Sequence, residues 1–470
     1  MKKIKKAMAL SLALAMGLSL VACGDKKEKD STDTEAPSTS SEAEPAAPDA
    51  SEENPGGETS GVDAWVEGAL ASGEKINVYS WNDELGNRID THFRSRYPEV
   101  ESLVVYNNLN IEGTTDEYPA KIKAAYDEGG DAVPGIVAAD DSVALSFMEK
   151  EYAVPVTDLG LTLDMYSNAY QYTVDYATID GKLMAMTWQA PAGVFAYNTD
   201  IAEEVLGTSD PDEVQSMISS WDGFLDVAAK MKEKGYAMVS GADEVKYPML
   251  DQRKSAWVID GKLNVDPAVE EFFELSKTLY TEGYTMNAAQ WSTDWTANMS
   301  NKTTFGYFGC TWFIPWSLTI EDTEVFGKYH VVSGPVGYHW GGSYLTVTDK
   351  CANKDLAALV IYTLCCDEEA MYDLFAKDTD YPNNQASVKK LMDDGVGALD
   401  KLGGQNPLAA YDATAKKVSA EIATSYDSQV NNIMSDVSGK YNSGEIASVE
   451  AAVADLKAQV SATITDITVE

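Results

Sequence analysis

The chain of 470 residues carries 35 lysine and arginine against 75 aspartate and glutamate side chains, a formal net charge of −40. That balance excludes nucleic acid as a partner, because phosphates need basic side chains to neutralise them, and excludes broad docking on anionic lipid headgroups. It favours solubility and specifies no ligand.

In chain order, Lys2, Lys3, Lys5 and Lys6 come first, followed by an apolar run from Ala7 to Val21. A run that short fits a signal-peptide core better than a spanning helix, which needs about 20 apolar residues. It ends in Leu20-Val21-Ala22-Cys23-Gly24, which resembles the lipobox of bacterial lipoproteins. The resemblance implies a signal peptide over 1–22, a lipid on Cys23, and anchorage on the extracellular face of the cell membrane. Gly24 to Ser60 is rich in Ser, Thr, Glu, Ala and Pro and has almost no large apolar residue. Such composition buries too little surface to fold. We read 23–73 as the lipidated cysteine and a disordered acidic linker, with a reach of roughly 35 Å or more. Cys310, Cys351, Cys365 and Cys366 show no C-x-x-C spacing or Cys/His cluster, so buried thiols are expected and no metal site is.

From Glu74 onward, strand and helix signals alternate. Ile76 to Trp81 reads as a strand, Leu85 to Tyr97 as a helix stopped by Pro98, and Leu103 to Tyr106 as a second strand. Tyr118 to Glu128 reads as a helix stopped by Gly129-Gly130, and Pro134 to Ala139 as a third strand ending at Asp140-Asp141. This alternation predicts an α/β lobe with a mainly parallel sheet. Ile179-Asp180-Gly181-Lys182-Leu183 recurs as Ile259-Asp260-Gly261-Lys262-Leu263, two predicted hairpin turns. Asp266-Pro267 predicts the start of a helix running to Tyr280. The last hundred residues read as largely helical.

Several segments carry a family resemblance. Asp180 to Trp188 is similar to a strand written G-x-L-Y-G-x-P-W, and Tyr197-Asn198-Thr199-Asp200 to Y-N-K-D. Trp221-Asp222-Gly223-Phe224 is similar to T-W-D-E-F, and Phe305 to Trp312 to A-M-x-x-x-G-x-W. Gly341 to Val347 is similar to G-G-x-x-L-A-I, and Asp355 to Cys366 to the helix after it. Together, over about 74–390, they resemble the extracellular solute-binding proteins (family 1, carbohydrate type) of bacterial ABC importers. Thr187, Tyr307 and the long C-terminal helical part depart from the pattern and bear on substrate identity.

The resemblance implies an α/β, two-lobed periplasmic-binding-protein-like fold, each lobe a mainly parallel sheet flanked by helices, with the ligand cleft between. It places lobe 1 at 74–185 and 331–385 and lobe 2 at 186–330 and 386–470. It implies a monomeric receptor with no cofactor and no catalytic residue. The receptor captures an oligosaccharide and delivers it to ABC transporter permease subunits.

Sugars present apolar C–H faces and hydroxyl edges, so their sites need aromatic platforms beside polar side chains. Trp81, Asn82 and Glu84 follow the first strand, and Asp140 and Asp141 end the third, one of them as a candidate helix cap. Trp188 and Gln189 stand at the lobe crossing. Trp312 and Trp340 take the family's stacking positions, and Gly341 and Gly342 permit close backbone approach. Trp257, Trp291, Trp295 and Trp316 are read as core. Two other functions stand beside this one. Tyr79 to Asp83 also resembles the opening of polyamine-binding relatives, where acidic residues fix ammonium groups. A surface glycosidase would need two carboxylates about 5–10 Å apart. No H-E-x-x-H, G-x-S-x-G, P-loop or G-x-G-x-x-G pattern is present.

Overall fold

The protein, seen in a computed structural model, is described over residues 58–115 and 117–470. The expected signal peptide, Cys23 and the expected linker up to residue 57 lie outside the described residues. The far end of the expected linker is not a linker. Glu58–Ser72 is a helix, with Trp65 and Ala69 buried and Val62 and Val66 packed beside them. Those four positions are spaced i, i+3, i+4, i+7, one apolar face. The Trp65 indole donates to the Leu159 carbonyl at 3.2 Å and its ring meets Tyr362.

One sheet gathers β1 (Ile76–Ser80), β2 (Val104–Asn108), β3 (Pro134–Asp140), β4 (Ala153–Val154), β5 (Ala185–Thr187) and β9 (Ser343–Thr348). Its path is β2-β1-β3-β9-β4, with β5 also on β9. β1 runs parallel to β2 and β3, whereas β9 is antiparallel to β3, β4 and β5. The second sheet is built on β6 (Gly193–Asn198), flanked by β7 (Gly306–Cys310) and β8 (Tyr329–Val332). Both pairings are antiparallel, which corrects the expectation of a mainly parallel sheet in each lobe. Parallel bridges in this lobe are short, Ala237 to Thr304, Val239 to Thr285 and Lys262 to Thr468. The physical reason lies in connectivity: β6 reaches β7 through the long excursion 199–305, and β9 re-enters the first sheet from the other lobe, so neither pairing is made by the single helical crossover that keeps neighbouring strands parallel.

The fold is two-lobed α/β; besides a later passage ahead of the helix Asp427–Ser443, the chain passes from the first sheet to the second at 188–192 and back at 338–342. There Ala192 bridges His339, the Trp340 amide donates to Pro191 O at 3.1 Å, and the Gly193 amide to Tyr338 O at 2.6 Å. Alternate residues of the second sheet face different cores. Val194, Ala196, Tyr307 and Val331 join the core of the first sheet, while Phe195, Tyr197, Phe308 and Val332 join a second core. The second core also takes Val430, Met434, Leu456 and Val460 from the helices Asp427–Ser443 and Val449–Thr463.

Both predicted hairpins form, with Asp180, Gly181, Asp260 and Gly261 all at positive φ. Asp266 accepts from the Ala268 amide, and the helix Pro267–Thr281 follows. The four described cysteines are free and buried.

Candidate functional site

Strand ends deliver the first half of the site. β1 stops at Ser80, so Trp81, Asn82 and Glu84 fall at its carboxyl end, where open α/β sheets bind ligands. The Asn82 side chain accepts from the Glu84 amide at 3.0 Å, which opens the helix Glu84–Arg88. β3 stops at Asp140, whose carboxylate accepts from the Ser142 amide at 3.1 Å and the Ser142 hydroxyl at 2.6 Å. It thereby caps the helix Asp141–Met148. The Asp141 amide donates to Gly342 O at 2.9 Å, which joins this corner to the second crossing. Gly341 has φ +77 and lies where an added Cβ would meet Trp312 Nε1 at 3.3 Å and Asp140 Oδ2 at 3.5 Å. A side chain there would be strained and would intrude between the platform and the carboxylate.

These groups line a cavity of about 760 Å³, inside the usual range of small-ligand sites. Its aromatic side is a cluster of three tryptophans and a tyrosine. Trp340 stacks on Tyr247 at 4.3 Å, Trp291 lies nearly parallel to Trp312 at 6.2 Å, and both Trp291 and Trp312 meet Trp340 edge-on. The Trp312 indole donates to Trp340 O at 2.9 Å. Trp291 is 55% exposed at φ +70, a backbone region costly for a bulky residue. Its segment is pinned from below. Asp243 accepts from the Gln290 amide at 2.9 Å, and buried Glu244 accepts from the Trp295 indole at 3.3 Å.

The polar side is rich in carboxylates. Gln189 donates to Glu84 at 3.1 Å and to Ser343 Oγ at 3.2 Å. Burial, then the nearby charge of Asp380, pushes the Glu84 carboxyl up to about 7, against the pull of Arg88 and Gln189. Burial and then Asp141 hold Asp140 well above the usual carboxylate range. His339 stands between Asp251 at 2.8 Å and Asp141 at 3.4 Å. Burial disfavours its charged form, but the two carboxylates outweigh burial and hold its pKa well above the ordinary imidazole value. Arg253 is paired with Asp427 at 2.6 Å.

A bacterial extracellular solute-binding protein family model matches residues 108–396. The chain belongs to that family. Solved structures show the same fold. A family 1 extracellular solute-binding protein is 18% identical with a TM-score of 0.69, covering 83% of this chain and 99% of that one. The sugar-binding protein MalE of Xanthomonas citri is 17% identical at 0.67, covering 83% and 96%. The galacto-N-biose/lacto-N-biose I-binding protein of a Bifidobacterium longum ABC transporter, solved with lacto-N-biose, is 13% identical at 0.66, covering 84% and 98%. A search of the curated proteins gave no match.

Within this solute-binding protein, Trp81, Asn82, Glu84, Asp140, Asp141, Gln189, Trp312, Trp340, Gly341 and Gly342 all line the cavity. Trp188 does not. Its indole is buried and donates to Asp380 at 3.2 Å, below the floor that Gln189 forms. Neighbouring residues on an extended crossing point to opposite sides, so one of the two had to face the core. Asp140, offered as either cap or cleft carboxylate, is both. Trp257 and Trp295 are core, but Trp291 and Trp316, read as core, line the cavity and are exposed. Trp291 sits on a turn and Trp316 on the single π-helical turn Phe313–Ser317, each too short for a periodic pattern to reveal which way a side chain points. Sequence reading also missed Tyr247, Asp251 and the polar stretch 419–432, which lies beyond the family match. The only signal there is a run of Ser, Thr and Asn ahead of a helix.

Proposed function

We propose that this solute-binding protein is a monomeric, non-enzymatic receptor that captures an oligosaccharide and delivers it to the membrane-spanning permease subunits of an ABC importer. The carrying observation is one cavity lined together by Trp291, Trp312, Trp340 and Tyr247, by the carboxylates of Glu84 and Asp140 and by the amide of Gln189. Rings suit the apolar faces of a sugar, and buried carboxyls and amides suit its hydroxyls. The lacto-N-biose and MalE proteins of the same fold point the same way.

The lipobox-like leader supports a chain held on the extracellular face by a lipid on Cys23. The anchor would raise the receptor's concentration near its permease. Cys23→Ala should release the protein into the medium with ligand affinity intact; a variant that stays on the membrane argues against the anchor.

A polyamine is the second reading. It is favoured by Glu84, Glu112 and Asp140, which line the cavity with no cation partner within ion-pair distance among the described residues. Calorimetric titration with neutral oligosaccharides and with spermidine, each at low and high salt, separates the two. A sugar should bind with little salt response and be recovered uncleaved, whereas charge pairing with spermidine should weaken steeply. No binding across a broad sugar panel sinks the carbohydrate reading.

A further inference from the structure

Ten cavity-lining residues come from 419–432, a segment outside the family match. Its local structure divides into a stripe that is held and a stripe that is free. On the helix Asp427–Ser443, Asp427 and Asn431 are i, i+4 neighbours. Asp427 accepts from Arg253 at 2.6 Å, and Asn431 accepts from the Trp257 indole at 2.8 Å. Thr424 adds its amide and hydroxyl to Asp427 at 3.0 Å and 2.5 Å. Val430 and Met434, at i+3 and i+7 from Asp427, continue that same held face into the second core. The rotation of the helix about its axis is therefore set.

The next positions along, Ser428 and Asn432, form a second i, i+4 pair, and Ser425 precedes them by one turn. All three line the cavity, and none of their side chains has a hydrogen-bond partner among the described residues. They present two hydroxyls and one amide on a fixed scaffold. The same helix also packs against Asp141–Met148 of the first lobe, so this wall stands at the meeting of the two lobes.

We infer that Ser425, Ser428 and Asn432 are specificity-determining residues, reading the hydroxyl pattern of one sugar unit of the ligand. The inference rests on the carbohydrate reading and names residues of the same cavity. A site built to bond a particular hydroxyl discriminates against the epimer that lacks it there, because its own polar groups are then left unpaired. The indole rings of the same cavity contribute stacking on apolar sugar faces, which is less selective for a single hydroxyl.

The test is calorimetry of the full chain with maltose, cellobiose, lactose and the corresponding trisaccharides. The wild type is compared with Ser428→Ala, Asn432→Ala and the exposed neighbour Gln429→Ala. We expect both cavity-facing variants to change the ratio of Kd values between sugars by about tenfold, with melting temperature and the Gln429→Ala ratios unmoved. A uniform loss across all sugars, or unchanged ratios, overturns the inference and leaves the carbohydrate reading standing. A wild type that binds none of these sugars, nor any of the broader panel, overturns both.

Discussion

Glu84 shows how one residue serves two demands. It opens a helix and also faces a cavity that removes it from water. Its ordinary value of 4.5 rises to about 7, chiefly through burial. Folding therefore favours the neutral acid, and this contribution is complete below about 4.5 and lost as pH rises through about 7. Glu84→Gln should remove that slope from a series of thermal melts between pH 4 and 8. At pH 8 the variant should be more stable than wild type by about 1–3 kcal/mol. Parallel stability curves for the two proteins would show that the carboxyl is not desolvated. The tryptophans divide by the same criterion of exposure. Trp291, at 55% exposed, should lose ligand affinity on change to Ala with little change in melting temperature. Trp257, at 0% exposed, should lose about 3–5 kcal/mol of stability.

Among the elements, the helix Glu58–Ser72 has the clearest consequence. Trp65, Ala69 and the Asn353 side chain, which donates to Ala69 O and Glu74 O at 3.1 and 3.0 Å, fasten it to the first lobe. It runs beside Lys354–Cys365, the most deeply buried helix of that lobe. A chain begun at residue 74 should melt several degrees lower than one begun at residue 58, with ligand affinity unchanged. Equal melting temperatures would mean that the helix docks without contributing. The predicted strands β1 to β3 and both Asp-Gly hairpins depend on local chemistry alone, and each forms where its residues predict. The reversed direction of β9 and the antiparallel second sheet do not, because pairing partners lie far away in sequence.

At the scale of the whole molecule, His339 joins what the chain keeps apart. Asp141 belongs to a helix on the first sheet, and Asp251 follows the helix Lys246–Leu250, which packs in the second core. His339 sits on the crossing between them, with the Tyr172 ring 5.6 Å away as its other packed neighbour. Its pKa is raised, so its contribution is complete below the ordinary value of 6.5 and lost as pH climbs through the higher folded value. His339→Gln should lower the melting temperature at pH 7 and flatten the alkaline arm of the stability curve. Identical alkaline arms in the two proteins would dismiss the tie.

The amino-acid sequence by itself determined the alternating α/β elements, the turns and the family. Each of these rests on local order: apolar period, helix caps, Asp-Gly pairs, and short motifs in sequence. The residues expected at the site, Trp188 apart, line the cavity, since strand ends and glycine turns mark where a cleft opens. Only the tertiary structure decided which tryptophans face the cavity, because Trp188 and Trp291 sit on irregular backbone and Trp316 on a single π-helical turn, none long enough to carry a period. Only it brought Tyr247, Asp251 and the wall of Ser425, Ser428 and Asn432 to the same space. Those residues come from distant segments, and the packing of two lobes sets their proximity, not any spacing along the chain.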